Sequence, residues 1–242
     1  MNEKISVITT LYNYADYIVK CVESFLAQDY KNSEMIIVDD ASTDNPWPAL
    51  MRYRNNDRIK VIRHENNFNY SRAKNTGIKA ATGDILVLLD ADDYLTCPDS
   101  LFLRYNRICE TGAHLVHGPC LRLEPNKPLF RDPMWGKWLD TKDPKWIHAQ
   151  GVMMFRAIHK TIGLYDPSLW ASADREMFYR IADAGFRIET VDQDVAVYRV
   201  HSKQMSTSKK KQEQKKALKK YIRKKREIRR AGNYSGLEML KI

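Results

Sequence analysis

The feature that most constrains this chain is an apolar run that ends in three carboxylates. Residues 85–89 are five consecutive aliphatic residues, and Asp90-Ala91-Asp92-Asp93 follow them directly. Such a run predicts a strand buried on both faces, as in a parallel sheet. Ligands of open α/β sheets bind at the carboxyl ends of their strands. Carboxylates gathered there predict a site for a hard divalent cation, which relieves their repulsion and can also bind a diphosphate.

Strand geometry adds an expectation about which way these carboxylates point. Side chains alternate along a strand, so we expect Asp90 and Asp92 to lie on the same side of it. A polar loop that merely follows the strand would explain one of these aspartates but poorly explains three.

The first half of the sequence alternates between strand and helix patterns. Apolar runs predict the strands, and apolar residues three and four positions apart predict the helices. The predicted strands cover 5–10, 35–38, 59–62 and 84–89, and the predicted helices cover 15–28, 48–53 and 71–81, the last capped by Ser71. This order predicts an α/β fold, a mostly parallel sheet with helices on both faces. The loop after the first strand lacks a glycine-rich fingerprint, which disfavours dinucleotide binding of the usual kind.

The second half is less regular. We expect helices over 98–109 and 174–184, strands over 115–123, 151–155 and 195–200, and a long loop over 124–147. Residues 209–230 predict a helix that is too charged to lie in a core. The expected organisation is a catalytic domain over 1–206 and a basic helical tail over 207–242.

The basic charge of the chain is concentrated at its end. The net charge is +10, and 15 of the 40 basic residues but only 3 of the 30 acidic residues follow residue 202. That segment therefore carries +12 and residues 1–202 carry −2. A basic helix with a thin apolar stripe is typical of binding to an anionic membrane surface or to nucleic acid. A solvated tail helix fits the same pattern.

Cysteine usage and hydropathy indicate the cellular compartment in which the protein is expected. The four cysteines are scattered without a C-x-x-C pair, which favours a reduced environment. The sequence has neither an apolar run of membrane-span length nor a signal-peptide pattern at its beginning. We expect a cytoplasmic protein, which the tail would allow to sit peripherally at the inner face of the membrane.

Polar clusters follow three predicted strands and should meet at one edge of the sheet. They are Thr10/Tyr12/Asn13, Asp39/Asp40 and Asp90/Asp92/Asp93. The set suits a nucleotide, because Tyr12 could stack on a base and Asp40 could accept from a pyrimidine imide or a ribose hydroxyl. The third cluster would hold the ribose and a metal-bound diphosphate. Taken singly, Asp39 and Asp40 fit equally well as caps of the next helix through Ser42 and Thr43.

Five segments, in order over residues 4–206, resemble the family 2 glycosyltransferases of the GT-A fold. They are Ile5–Asn13, Ile36–Asp44, Lys74–Gly77, Leu89–Asp93 and Tyr198–Ser206. The resemblance implies an inverting transferase that uses a nucleotide-diphosphate sugar, with a UDP-sugar favoured, and Mn²⁺ or Mg²⁺.

The resemblance also implies roles for individual residues. The nucleotide-binding positions would be Thr10, Tyr12, Asn13, Asp40, Lys74, Asp90 and Ala91, and the metal-binding positions would be Asp92, Asp93 and His201. A neutral imidazole suits Mn²⁺ better than Mg²⁺. His201 fits equally well as an ordinary polar residue at the end of a strand.

Asp174 matches the catalytic base of the family, at the start of a later helix. Ala173 departs from the acidic residue that usually precedes the base, and Glu176 competes for the same role. A carboxylate in the first turn is also favoured by the helix dipole alone, so Asp174 fits a purely structural role as well.

The implied reaction is the transfer of a single hexosyl or pentosyl unit to an acceptor hydroxyl. The Gln-x-x-Arg-Trp motif of processive synthases is absent from the sequence. The acceptor expected from the family is a lipid-linked or surface glycan. A DNA-modifying glycosyltransferase that acts on a hydroxylated base is one alternative, and a non-catalytic nucleotide-sugar-binding protein is another. The presence of Asp90, Asp92 and Asp174 argues against the latter.

Overall fold

A computed structural model describes residues 3–132, 147–204 and 209–232, with side chains from residue 216 onward in the last segment. The strands within these ranges are β1 (Ile5–Leu11), β2 (Ser33–Asp39), β3 (Ile59–Arg63), β4 (Ile85–Leu88), β5 (Tyr94–Leu95), β6 (Leu115–His117), β7 (Cys120–Leu123), β8 (Phe130–Arg131), β9 (Met153–Phe155), β10 (Ile188–Thr190) and β11 (Ala196–Arg199). The α-helices are α1 (Ala15–Leu26), α2 (Trp47–Leu50), α3 (Tyr70–Ala80), α4 (Ser100–Thr111), α5 (Ile158–Ile162), α6 (Ala173–Asp183) and α7 (Lys209–Arg230).

Two sheets organise these elements. The larger sheet has the strand order β10-β6-β9-β4-β1-β2-β3, and the smaller one has the order β5-β11-β7-β8. In the larger sheet β1 pairs in parallel with β2 and β4, β2 with β3, and β10 with β6. Only β9 runs antiparallel to its neighbours, β4 and β6. The expected α/β fold with a mostly parallel sheet is therefore confirmed.

The central strands are buried on both faces, as their apolar runs predict. All seven residues of β1 and all four of β4 are buried. Val7 belongs to the hydrophobic cluster that contains the buried side chains of α1, and Ile8 to the cluster that contains those of α3 and α6. Gly77 lets α3 lie close to the sheet, because a Cβ there would meet Ile8 Cγ2 at 2.5 Å. This close approach fixes how far the side chains of α3 reach toward the strand ends.

The structure departs from expectation in several places, and three of them concern the elements nearest the site or the long loop. The run 115–123 is two strands in different sheets, β6 and β7, which Gly118 separates. Helix α3 is capped by Asn69, whose side chain accepts a hydrogen bond from Arg72 N at 3.2 Å. The expected cap, Ser71, instead donates to the carbonyl of Leu169. The loop expected over 124–147 contains the short strand β8, and its residues 133–146 lie outside the described ranges.

Helix α7 has a buried face. Leu218 and Ile222 are 3% and 0% exposed and join the hydrophobic cluster of α6. The guanidinium of Arg226 lies 4.1 Å from the ring centre of Tyr179 and pairs with Asp183 at 2.9 Å. The expectation that this helix is too charged to lie in a core is therefore wrong for one of its faces. In the described ranges none of the helices is both long and apolar enough to cross a membrane.

We predict that Ile222→Ala lowers the free energy of unfolding by about 2–5 kcal/mol, because it leaves a cavity under α7. Lys224→Ala, a change at an exposed position of the same helix, should change the stability by less than about 0.5 kcal/mol. Urea denaturation followed by circular dichroism measures both. Equal stability of the two variants would show that α7 does not pack on the body.

Candidate active site

A pocket of about 490 Å³ lies where the carboxyl ends of β1, β2 and β4 meet. Its lining brings the three predicted polar clusters together, and the residues from them are Thr10, Tyr12, Asn13, Asp40, Asp90, Asp92 and Asp93. Tyr12 is 43% exposed, so its side chain is accessible to a ligand. The edge of the sheet thus forms a polar, partly aromatic cleft large enough for a small molecule.

Asp90 joins three separate parts of the chain at the floor of this pocket. Its Oδ1 accepts a hydrogen bond from Lys74 Nζ at 2.8 Å, with the hydroxyls of Tyr70 at 3.4 Å and Thr10 at 3.5 Å. Its Oδ2 accepts from Gln150 Nε2 at 3.1 Å. Lys74 is fully buried, and a buried ammonium requires a charged partner. Asp90 is that partner, so the two residues form one fixed unit.

The turn after β4 decides where the other carboxylates point. Strand β4 ends at Leu88, so the alternation expected for Asp90 and Asp92 does not apply. Asp90 faces Lys74, whereas Asp92 Oδ2 lies 3.1 Å from His201 Nε2. Both carboxylates still line the same pocket.

Aromatic rings hold His201 in place beside Asp92. Its imidazole stacks on Tyr17 with 4.2 Å between ring centres and meets Tyr14 edge-on at 5.4 Å. His201 Nδ1 is buried and has no hydrogen-bond partner in the described part of the chain. The ring therefore presents Nε2 to the carboxylate, and this nitrogen–oxygen pair fits a borderline cation such as Mn²⁺.

A divalent ion here would need further ligands from outside these side chains. Among the residues described, no group of three or more His, Cys, Asp or Glu side chains is placed to hold a metal ion. The donor set of Asp92 and His201 nevertheless suits an ion whose remaining ligands are oxygens of a bound diphosphate or water.

Asp93 belongs to the pocket lining, from a fully buried position, and supports the turn. Its Oδ1 accepts from the backbone N–H of Arg199 at 2.8 Å. Burial and the charges of Asp92 and Asp90 raise the pKa of Asp93 well above its usual range. Its role as a direct metal ligand stays a prediction, and the structure places Asp92, not Asp93, beside His201.

Asp40 and Asn13 shape the walls of the pocket. The carboxylate of Asp40 lies 2.7 Å from His64 Nδ1 and accepts from the backbone N–H groups of Phe68 at 3.0 Å and Asn69 at 2.9 Å. Asn13 Oδ1 accepts from the backbone N–H of Thr43 at 2.8 Å. Both side chains thus fix loops in addition to lining the pocket.

Asp174 is the second residue of α6 and is held by two tyrosine hydroxyls. Tyr165 donates to its Oδ1 at 2.8 Å and Tyr70 to its Oδ2 at 2.9 Å. Burial raises the pKa of Asp174. The positive charge of Lys74 and the hydrogen bonds from the two tyrosines lower it by less, so the pKa stays above its usual value. The hydroxyl of Tyr70 connects Asp174 to the pocket, because Tyr70 lines the pocket and also contacts Asp90.

The competing carboxylate is held in ion pairs. Glu176 is 1% exposed, and it pairs with Arg180 and with Arg229, each at 2.9 Å. Both of its carboxylate oxygens are therefore engaged by arginines of α6 and α7.

Comparison with known proteins identifies the family. The family model described as glycosyl transferase family 2 matches residues 6–160. The chain belongs to glycosyl transferase family 2. The putative glycosyltransferase EpsE of Bacillus subtilis is 39% identical over 206 residues, which cover 76% of this chain and 72% of EpsE.

Two further relatives match over shorter segments. Glycosyltransferase GlyG of Streptococcus pneumoniae is 38% identical over 119 residues, which are 49% of this chain and 39% of GlyG. WfaP of Escherichia coli, named as a UDP-Glc:alpha-D-GlcNAc-diphosphoundecaprenol beta-1,3-glucosyltransferase, is 40% identical over 92 residues, which are 38% of this chain and 36% of WfaP. The chain thus spans less than half the length of either protein.

Two solved structures share the fold. Residues 1–349 of TarS from S. aureus in complex with UDP-GlcNAc match with a TM-score of 0.71 and 23% identity, over 85% of this chain and 61% of that one. The mannosyltransferase PcManGT from Pyrobaculum calidifontis, in complex with GDP-Man and Mn²⁺, matches with a TM-score of 0.69 and 21% identity, over 84% of this chain and 59% of that one. At these identities the likeness establishes the GT-A fold alone.

The structure adds site residues that the sequence analysis missed. They are Tyr70, Gln150, Tyr165 and Trp170, which line the pocket or contact its carboxylates. Only Tyr70 carried a usable signal, since it lies one helical turn before Lys74 and so shares its face. The others reach the site from distant parts of the chain, and no motif marks them.

We predict that Tyr70→Phe raises the pKa of Asp174, because the lost hydrogen bond stabilises the ionised carboxylate. ¹³C NMR of the carboxyl carbons measures this pKa, and Asp174→Asn identifies the resonance. Tyr30→Phe is the control, because it removes a hydroxyl that donates to the carbonyl of Glu3, outside the pocket. An unchanged pKa in Tyr70→Phe would show that the hydrogen bond is not made.

Proposed function

We propose that the protein is a metal-dependent inverting glycosyltransferase that moves one sugar from a UDP-sugar to an acceptor hydroxyl. The observation that carries the proposal is a set of three carboxylates, two that line the pocket and a third joined to it through Tyr70, each with a different partner. Asp90 is paired with a buried lysine, Asp92 lies beside a histidine, and Asp174 is held by two tyrosines. These partners suit three different tasks in sugar transfer.

The sugar donor would bind along the carboxyl ends of β1, β2 and β4. Tyr12 offers an exposed ring for stacking on the base, and Asp40 is held at the wall beside it. The nucleotide would also contact Thr10, Asn13 and Asp90, which line the pocket, while the predicted positions Lys74 and Ala91 are fully buried behind that lining. The Lys74–Asp90 pair presents a fixed carboxylate edge to the ribose. The UDP-GlcNAc bound to TarS, which shares this fold, supports a UDP-sugar as the donor.

Asp92 and His201 would hold a Mn²⁺ or Mg²⁺ ion. The Mn²⁺ ion in the PcManGT complex supports this part of the proposal. Such an ion, when bound, neutralises charge that grows on the departing diphosphate. The residues of this chain contribute a carboxylate oxygen and an imidazole nitrogen that already lie together, and Asp93 supports the turn that carries Asp92.

Asp174 would act as the general base. It would take the proton of the acceptor hydroxyl as that oxygen attacks the anomeric carbon, on the side opposite the diphosphate, so the anomeric configuration inverts. Burial raises the pKa of Asp174 above that of an exposed aspartate, which makes the carboxylate a stronger base. The two tyrosine hydroxyls, one on each carboxylate oxygen, fix its orientation.

The acceptor would be a lipid-linked or surface glycan, met at the inner face of a membrane. The diphosphoundecaprenol acceptor in the name of WfaP supports this class. A DNA-modifying transferase that acts on a hydroxylated base is the second candidate, which the +12 charge of the last 40 residues favours.

We predict that UDP binds at least tenfold more weakly when Mn²⁺ is replaced by a chelator, because Asp92 alone repels the diphosphate. Isothermal titration calorimetry measures the affinity. Asp92→Asn and His201→Gln should each lose most of the metal-dependent increase. Equal UDP affinity with Mn²⁺ and with chelator in the wild-type protein would contradict the metal assignment.

We predict that Asp174→Asn lowers the turnover of the sugar donor by about 10²- to 10⁴-fold and leaves its binding unchanged, because the base acts in the transition state. The comparison variant is Glu176→Gln, which should lower stability through its lost ion pairs and keep turnover within a few fold. Release of UDP from the UDP-sugar measures turnover. Normal turnover in Asp174→Asn with none in Glu176→Gln would move the base assignment to Glu176.

A further inference from the structure

Helix α7 carries two faces with opposite surroundings. One face, with Leu218 and Ile222, is buried against the body. The other is exposed and basic, and we define the basic stripe as Lys216, Lys219, Lys220, Arg223 and Lys224. These positions recur at intervals of three and four residues, so they form one continuous line along the helix.

Ion pairs on the opposite side hold the basic stripe in a fixed orientation. Arg229 pairs with Glu176 of α6 at 2.9 Å, Arg226 pairs with Asp183 at 2.9 Å, and Lys225 pairs with Asp166 at 2.6 Å. Helix α7 therefore does not extend into solvent as a loose tether. Any surface that binds the stripe must also orient α6, and with it the pocket.

The positive charge of Arg175, in the first turn of α6, acts on Lys219 of the basic stripe. Partial desolvation and the positive charges of Arg175 and Arg223 lower the pKa of Lys219. Arg175 directly follows Asp174, the carboxylate next to which the acceptor hydroxyl would lie. Positive charges that lie close together repel one another, and binding to an anionic surface reduces this repulsion.

We propose that the basic stripe docks the protein on an anionic phospholipid membrane and thereby presents the acceptor side of the pocket to the bilayer. The proposal rests on the proposed transfer to a lipid-linked acceptor. Four of the five stripe residues are lysines, which act as mobile point charges and suit a fluid surface of many headgroups. Specific recognition of nucleic-acid phosphates and bases relies more on the planar, bidentate guanidinium of arginine.

Flotation of the full chain with phospholipid vesicles tests the proposal. The vesicles contain phosphatidylcholine with or without phosphatidylglycerol. The stripe variant combines Lys216→Gln, Lys220→Gln, Arg223→Gln and Lys224→Gln. The matched control combines Arg52→Gln, Arg54→Gln, Lys60→Gln and Lys79→Gln, four exposed positions elsewhere with the same loss of charge.

We expect the wild-type protein and the control to bind the anionic vesicles and the stripe variant to bind at least tenfold more weakly. Binding should weaken as salt is added. An equal loss in both variants, no preference of the wild type for phosphatidylglycerol, or tighter binding to duplex DNA than to vesicles would each overturn the proposal.

Two controls separate this result from the proposed activity. Thermal unfolding should be the same in the stripe variant and the wild type, because the changed side chains are exposed. Mn²⁺-dependent UDP binding should also be unchanged in the stripe variant. Vesicle binding by a wild-type protein that binds no nucleotide would contradict the proposed transferase and leave the docking surface standing.

Discussion

The ion pair between Lys74 and Asp90 is the interaction on which the rest of the site depends. A fully buried ammonium is stable only beside a carboxylate, and the carboxyl end of β4 supplies one at 2.8 Å. Helix α3 can bring Lys74 there because Gly77 allows close contact with Ile8 of β1. The pair thus ties the central strands to α3 and fixes the floor of the pocket before any ligand binds.

The same pair connects the two halves of the proposed reaction. Tyr70 lies one turn before Lys74 and contacts both Asp90 and Asp174 through a single hydroxyl. The sugar-donor side of the pocket and the carboxylate proposed as the base are therefore parts of one hydrogen-bond network. Helix α6, which carries Asp174, is held on its other side by the arginines of α7. The position of the base consequently depends on packing far from the nucleotide.

Much of the first half of the fold could be predicted from the sequence. The apolar runs of β1, β2 and β4 are unambiguous because both faces of these strands are buried, and carboxylates that follow parallel strands must meet at one edge. The cap of α3 was missed because Asn69, with φ 91°, provides the helix start, while Ser71 bonds to a distant carbonyl. The break at Gly118 was missed because hydrophobicity continues on both sides of it.

Contacts between distant segments were beyond sequence reasoning. Gln150 reaches Asp90 from a short 3₁₀ helix, Ala149–Gly151, and Tyr165 reaches Asp174 from a loop, and neither segment carries a motif. The buried face of α7 was hidden because its average composition is strongly basic, although Leu218 and Ile222 lie one turn apart. This basic helix can pack on the body because Arg226 and Arg229 form ion pairs with carboxylates on α6.

The central claim is that Asp90, Asp92 and His201 form the site of a metal-bound nucleotide diphosphate. A crystal structure of the full chain with UDP and Mn²⁺, with anomalous diffraction to locate the manganese, tests it most directly. The account predicts an anomalous peak against the side chains of Asp92 and His201, with the diphosphate on the same ion and the Lys74–Asp90 pair intact. UDP bound away from the ends of β1 and β4, or manganese bound without contact to either Asp92 or His201, would contradict it.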